Sequence, residues 1–403
     1  MFTAHKRDAD TSLSSTRPSR RSTRIATLAV AVVAVGLLSA CSTTSSASEG
    51  SAASSTLSAE QTQVLDSGYS ASSINTPTTT GPAAVTGKSV WVISCGESFQ
   101  GCAIMSAAFD NAAAKLGWKT NLIDSKADPT NYSAAINQAI AAKADGIALF
   151  AGDCPGIKTS LQSAQAANIP VVQFSSVDCD DPGFGSEAPL FAASLNIDGS
   201  NKLADYYQAL GTARADYTAA LMGGSGKVIA LQETSQRSQS YITAGFTNEM
   251  AKACPNCVVV PVTFTFAQLP TAANQVWSSA MLKNPDAKAL EFNLDSLMPL
   301  GLQTDIQTTG FKGQIIGGEG TNLDSIRSGA QTTATVVPYE MFSWGLADTL
   351  NRLFAGESAA SLPTEGGGWQ LVDKTHNLPA SGPWQNPVDY QSIYEKIWSG
   401  QSK

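Results

Sequence analysis

Between residues 90 and 317, short apolar runs alternate with segments whose apolar residues recur at helical spacing. Residues 90–94, 120–124, 146–151 and 169–174 read as strands, with helices running to 116, over 132–143 and over 157–167. A second series begins near Lys227 with a strand to 231. It continues with strands at 257–262, 289–292 and 314–317, separated by helices at 241–252, 272–282 and 298–308. A strand that is apolar along its whole length must be covered on both faces, as happens in parallel sheets wrapped by helices. Right-handed crossovers then wind each series into its own sheet, so the expected class is α/β with two doubly wound lobes. Such sheets bind ligands at the carboxyl ends of their strands, and two sheets facing each other there predict a cleft.

The first 88 of the 403 residues stand apart from this pattern. Lys6, Arg7, Arg17, Arg20, Arg21 and Arg24 form a basic run, followed by an apolar stretch over 25–38 and then Leu38-Ser39-Ala40-Cys41. A basic segment, a short apolar one and small residues before a cut make a secretory signal. The apolar stretch falls short of the ~20 residues a membrane span needs. The tetrapeptide ending at Cys41 resembles the lipobox of bacterial lipoproteins. That resemblance implies cleavage before Cys41, acylation of its sulfur and anchoring at the outer face of the cytoplasmic membrane. Ser19-Arg20-Arg21 lacks the apolar residue a twin-arginine signal needs soon after, so the export route stays open. Residues 41–88 are rich in Ser, Thr and Ala and predict a flexible tether, with 1–40 as the signal peptide.

Charge and histidine content remove several functions. The formal net charge is −8, with a pI of about 4.9, which disfavours nucleic acid and anionic headgroups and leaves lipid as the only hold on a membrane. There are two histidines, His5 and His376, and the first lies in the signal. One remaining histidine cannot build a multi-histidine metal centre and leaves little room for a Ser-His-Asp arrangement, so neither metal nor cofactor is expected. Gly223-Gly224-Ser225-Gly226-Lys227 lacks phosphate-loop spacing and precedes a strand, so it reads as a turn.

Cys41 aside, six cysteines remain, an even number that suggests disulfides in an exported chain. Six permit fifteen pairings, and spacing favours local ones. Cys95 and Cys102 flank one loop, Cys254 and Cys257 form a short pair, and Cys154 and Cys179 would meet if the strands they follow are neighbours. A redox role for Cys254-Pro-Asn-Cys257 fits poorly, because the motif precedes a strand instead of opening a helix.

Several runs are familiar as an ordered set: 116–124, Ala144-Asp145-Gly146-Ile147, 167–172, Asn196-Ile197-Asp198-Gly199, Gly226-Lys227-Val228, Gly245-Phe246, 284–289 and Ile316-Gly317-Gly318-Glu319-Gly320. Together, over about 89–360, the chain resembles the type I periplasmic binding proteins, particularly ribose-like receptors of ABC importers. The resemblance implies two lobes, 89–197 plus 339–365 and 198–338 plus 366–403, hinged near Asp198, Pro338 and Gly366. It implies a monomer that closes on a small polar solute, a sugar or polyol, and presents it to a membrane permease without chemistry. Expected ligand contacts are Glu97, Phe99, Asp153, Ser175 and Asp178 from one lobe, and Gln232, Asn293, Asp295 and Glu319 from the other. Tyr339, Phe342 and Trp344 are expected near the hinge. Carboxylates and amides suit vicinal hydroxyls, and aromatic faces suit the apolar side of a ring.

Three departures qualify the sugar. Where that family has a clamping arginine before the Gly-Phe pair, this chain has Ser240, with Tyr241 next and Arg237 a turn earlier. The family's hinge-proximal glutamine is replaced around Pro338-Tyr339, and the first loop carries the Cys95, Cys102 pair. A cleft with Glu97, Asp153, Asp295 and Glu319 and no assured arginine suits a polyol, a modified sugar or a cationic or amine-bearing solute, and suits a carboxylate poorly. A ligand-sensing receptor that signals to a membrane partner is the competing role, with an exported enzyme as a third. Trp369, Trp384, Tyr390, Tyr394 and Trp398 crowd the tail and are expected to pack as core.

Overall fold

The computed structural model describes residues 57–401 apart from 198, 200, 201 and 270. The signal segment, Cys41 and Asp198 therefore lie outside the described residues. Among those described, no helix is long and apolar enough to cross a membrane.

Helix α1 (Ala59–Tyr69) and strand β1 (Ile74–Asn75) come first. The N-terminal lobe follows with β2 (Ser89–Ser94), α2 (Gln100–Lys115), β3 (Lys119–Asp124), α3 (Pro129–Ala141), β4 (Gly146–Phe150), α4 (Cys154–Ala166), β5 (Val171–Phe174) and β6 (Ala193–Ser194). The C-terminal lobe runs α5 (Leu203–Leu221), β7 (Gly226–Glu233), α6 (Arg237–Ala253), β8 (Cys257–Phe264), α7 (Thr271–Lys283), β9 (Ala289–Phe292), α8 (Gln303–Thr309), β10 (Gln314–Gly317), α9 (Leu323–Ser328) and β11 (Thr333–Val336). Then come α10 (Tyr339–Phe354), β12 (Gly367–Gly368), β13 (Gln370–Asp373) and α11 (Tyr390–Trp398).

One sheet has the order β3-β2-β4-β5-β6 and is parallel throughout. The other has the order β13-β11-β10-β9-β7-β8, parallel except for β13, which runs antiparallel to β11. Strands β4, β5, β9 and β11 are buried at every residue; β4 is apolar throughout, while Gln173 of β5, Glu291 of β9 and Thr333 and Thr335 of β11 are buried polar residues. Local chemistry sets several boundaries. Asp128 caps the Thr130 N–H and Pro129 opens α3, where a missing N–H costs nothing.

Helix α5 escaped the periodicity reading, because Tyr206, Arg214, Tyr217 and Thr218 are buried on several of its faces and no clean apolar stripe results. It crosses α6 at very short range through two glycines. A Cβ at Gly245 would stand 2.1 Å from the Gln208 carbonyl oxygen, and one at Gly211 would stand 2.0 Å from that of Ile242. The Gly-Phe pair is therefore a packing feature, with Phe246 buried beside the glycine that permits the approach.

Residues 57–88, expected as part of a flexible tether over 41–88, are instead packed on the two lobes. Ser58 and Gln61 form a capping box that starts α1, and Leu65 packs with Tyr217 and Leu371 of the C-terminal lobe. Tyr69 donates its hydroxyl to Asp373 and stacks on His376 at 4.0 Å. β1 pairs with β12, and the following residues bind the other lobe. Val85 N–H donates to Asn351 (2.9 Å), and Trp118 Nε1 donates to the Val85 carbonyl (2.8 Å). A few apolar anchors and these hydrogen bonds order a segment that its Ser- and Thr-rich composition alone would leave loose.

The tail also divides. β13 joins the C-terminal sheet, but α11 packs on α10, whose helix lies against α2, β4 and β5 of the N-terminal lobe. Trp384, Tyr390, Tyr394 and Trp398 are buried, and Trp344 stacks on Trp398 at 5.4 Å. Phe342 and Trp344 are thus core residues of α10 and not ligand contacts. Three disulfides join Cys95 to Cys102, Cys154 to Cys179 and Cys254 to Cys257, the second made possible because β4 and β5 are neighbours.

Two substitutions test this packing by urea unfolding. Leu65→Ala should lower stability by about 2–3 kcal/mol, whereas a loose tether would leave it unchanged. Gly245→Ala should cost about 3 kcal/mol, because the added methyl meets backbone that cannot swing aside.

Candidate binding cleft

The lobes meet along the carboxyl ends of their strands, and they are closed on each other. Gln236 Nε2 donates to the Ala151 carbonyl (3.2 Å), and Phe99 meets Phe266 edge-on at 5.2 Å between centroids. Asp153 stands at the N-cap of its own helix α4 but makes no capping bond there. Its carboxylate accepts the Val177 N–H (2.9 Å) and, across the cleft, the Arg237 N–H (2.8 Å) at the first residue of α6. It thus caps a helix of the other lobe, whose own N-cap Gln236 provides no side-chain bond. Beside it, buried Asp181 receives Arg237 Nε (3.1 Å) and the Tyr241 hydroxyl.

Between these contacts lies a narrow cavity of about 50 Å³, smaller than the ~300–1,000 Å³ of ordinary small-molecule pockets. Four of the expected contacts line it: Phe99, Ser175, Glu319 and Tyr339. The Cys95–Cys102 disulfide forms part of the wall. Ala127, Ala151 and Ser175, all at strand ends, adopt positive φ (55°, 55° and 66°) and all line the cavity. Backbone conformations of this kind, uncommon for residues with a Cβ, concentrate where a chain is held for function.

The other expected contacts lie elsewhere. Asp153 latches the lobes beside the cavity. Glu97 accepts the Ser106 hydroxyl (2.9 Å), and Asp178 takes the backbone N–H groups of Cys179, Leu190 and Phe191 within its own loop. Gln232 sits in β7 opposite Thr263, away from the cavity. Asp295 is fully buried, accepting Gly318 N–H (3.1 Å), Gly320 N–H (2.6 Å) and Gln331 Nε2 (3.0 Å), so it shapes the loop that carries Glu319. Asn293 donates to Gln239 Oε1 (2.9 Å) and accepts from Arg214.

Sequence reasoning missed Gln236, Gln239, Phe266, Leu294, Ser296 and Met105, which complete the lining. Gln236 and Gln239 flank Arg237 at the start of α6, a turn before Ser240, and the pair of amides at a helix start is the signal that marks them. Phe266 follows the carboxyl end of β8. Arg214 on α5 is buried behind the wall, against Asn293. Its guanidinium binds Glu291, Asn293 and the Phe292 carbonyl.

Burial shapes the titration of the cleft. Glu319 is pushed up to about 7 by desolvation and by neighbouring Asp295, against the Tyr339 hydroxyl that donates to it (2.9 Å). Asp153 is raised to about 6 by burial, opposed by its two backbone donors. Glu291 is raised by burial and opposed by Arg214. The lining therefore offers amides, hydroxyls and one carboxyl that readily takes a proton, set among aromatic and sulfur surfaces.

The sequence profile of the periplasmic binding protein domain family matches residues 92–358. The chain belongs to that family. Its members bind solutes and are not enzymes, and the fold is that of type I periplasmic binding proteins. Solved structures similar to this periplasmic binding protein include a galactofuranose binding protein, 18% identical with a TM-score of 0.59, covering 77% of this chain and 98% of its own. An Agrobacterium vitis ABC transporter solute binding protein bound with α-D-tagatopyranose is 19% identical with a TM-score of 0.61, covering 72% and 95%. A Burkholderia graminis counterpart in complex with D-arabinose is 17% identical with a TM-score of 0.60, covering 73% and 98%. No curated protein sequence matches the chain.

A carboxyl whose value is raised on folding holds extra protons in the folded state, so its contribution to stability falls as pH rises, here between about 4.5 and 7. Glu319→Gln removes that penalty while keeping an acceptor for Tyr339. The variant should therefore gain stability relative to the parent as pH rises from about 5 to about 8. Urea midpoints at both pH values check this, and a pH-independent difference would refute it.

Proposed function

We propose that this protein captures a neutral polyhydroxylated solute, a monosaccharide or polyol, between its lobes and hands it to the permease of an ABC importer. The observation that carries this reading is the mixed lining of the closed cavity. Ser175, Ser296, Gln236, Gln239 and Glu319 offer donors and acceptors, while Phe99, Phe266 and Tyr339 offer ring surfaces. Hydroxyl groups on one side of a sugar ring and C–H groups on the other fit such a lining. The galactofuranose, tagatose and arabinose carried by structurally similar proteins favour the same class. Among the described residues no guanidinium or ammonium lines the cavity, so a carboxylate would enter without a counter-charge.

In this reading the solute bridges contacts on both lobes and stabilises the closed form, which is the shape the permease recognises. Acylation at Cys41 keeps the monomer at the outer face of the cytoplasmic membrane. The three crossovers act as the hinge, and residues 89–197 and the C-terminal lobe move as bodies about it.

A thermal-shift screen of residues 42–403 against sugars, polyols, nucleosides, amines and aromatic acids tests the proposal. A sugar or polyol at 100 times its Kd should stabilise by about 2.7 kcal/mol. Phe99→Ala and Glu319→Ala should each weaken that ligand about 10- to 100-fold by calorimetry. Hits confined to amines or aromatic acids would overturn the solute class. Loss of uptake on deletion separates the importer from a sensor, which would lose a transcriptional response instead.

A further inference from the structure

We infer that the Cys95–Cys102 disulfide is a specificity-determining part of the binding site and not only a staple of the fold. The inference rests on the reading of the cleft as a sugar or polyol site. The bridge joins the residue after β2 to the first turn of α2 and encloses Phe99 and Gly101, both of which line the cavity.

Helix α2 starts without help from a capping side chain. Phe99 occupies the N-cap with extended backbone and no side-chain hydrogen bond, where Ser, Thr, Asp or Asn would ordinarily stand. The disulfide restrains that turn in place of a cap. The loop within it is tightly arranged. Gly96 has φ +147°, and a Cβ there would stand 2.8 Å from the Phe99 ring, so the ring lies directly over the glycine. The Phe99 N–H donates to the Gly96 carbonyl (2.9 Å). The ring is thereby aimed across the cleft at Phe266. At Gly101 a Cβ would stand 3.2 Å from Glu319 Oε1 and 3.3 Å from Tyr339, so this turn of α2 comes to within contact of the opposite wall.

The sulfur atoms also supply surface. With Met105, the two cysteines line the cavity with polarizable side chains that carry no strong hydrogen-bond donor, in a wall shared with Glu319, Gln236 and Gln239. A ligand seated there would turn its C–H face to sulfur and Phe99, and its hydroxyls to Glu319, Gln236 and Gln239. The other two bridges do not line the cavity, and Cys254–Cys257 follows the end of α6 opposite the cleft.

The test compares Cys95→Ala/Cys102→Ala with Cys254→Ala/Cys257→Ala by calorimetry, using D-arabinose and D-tagatose as probes. The first variant should weaken binding at least tenfold and change the ratio of the two affinities. The second, which opens another short loop, should keep both constants within about twofold. Equal affinities in all three proteins, or parallel losses in both variants, would overturn the inference and leave the sugar-site reading standing. A parent protein that binds neither sugar nor any polyol would overturn both.

Should the first variant fail to fold, the parent protein is treated with dithiothreitol with and without the sugar. The disulfide takes up two electrons and two protons to give two thiols, and the dithiol becomes a cyclic disulfide. Alkylation and peptide mass analysis then report each bridge. Sugar should slow reduction of Cys95–Cys102 about tenfold while leaving Cys254–Cys257 unaffected. Equal slowing of both, or of neither, would refute the assignment.

Discussion

Strands that are apolar at every position can be buried only if helices cover both faces of their sheet, and most of this architecture follows from that requirement. β4 carries no polar side chain, and those of β5, β9 and β11 (Gln173, Glu291, Thr333 and Thr335) are buried, so the polar side chains free to meet a solute collect where the strands end. Two such sheets, joined with their carboxyl ends opposed, then bring two sets of polar loops together. The cavity at that junction, the positive-φ residues Ala127, Ala151 and Ser175, and the Asp153 cap on α6 all occupy this one surface.

Behind the cavity wall is a charged layer that would be costly without its partners. Arg214 is almost wholly buried and binds Glu291, Asn293 and the Phe292 carbonyl, while Asp295 is satisfied by Gly318, Gly320 and Gln331. A buried charge stripped of one partner is strongly destabilising, so the network acts as a rigid support for Asn293, Gln239 and the Glu319 loop. The visible lining is thus held in place by buried residues behind it.

The N-terminal segment adds a further link between the lobes. It lies on the C-terminal lobe through Leu65 and Tyr69, pairs with β12 beside the third crossover, and reaches the N-terminal lobe through Val85. Any opening of the cleft must accommodate this span. The ring cluster of Trp344, Tyr390, Tyr394 and Trp398 lies near it, with Ala84 N–H donating to the Trp398 carbonyl (2.9 Å).

Local pattern determined the alternation of strands and helices, the two parallel sheets and the loops that could carry a site, because burial on both faces writes itself into consecutive apolar residues. It also pointed to the three cysteine pairs, since short spacing and neighbouring strands leave little choice. Glu319, Phe99, Ser175 and Tyr339 were legible because each follows a strand or begins a helix at the cleft. Only the tertiary structure decided what those loops do. Asp153, Asp178, Asn293 and Asp295 are the same kinds of residue at the same kinds of position, yet one latches the lobes and three hold loops or strand ends in place. Which way a carboxylate turns depends on the nearest unsatisfied N–H, and that donor often belongs to a residue far away in sequence. The order in residues 57–88 and the placement of α11 were hidden for the same reason: their partners are distant, and composition does not record them.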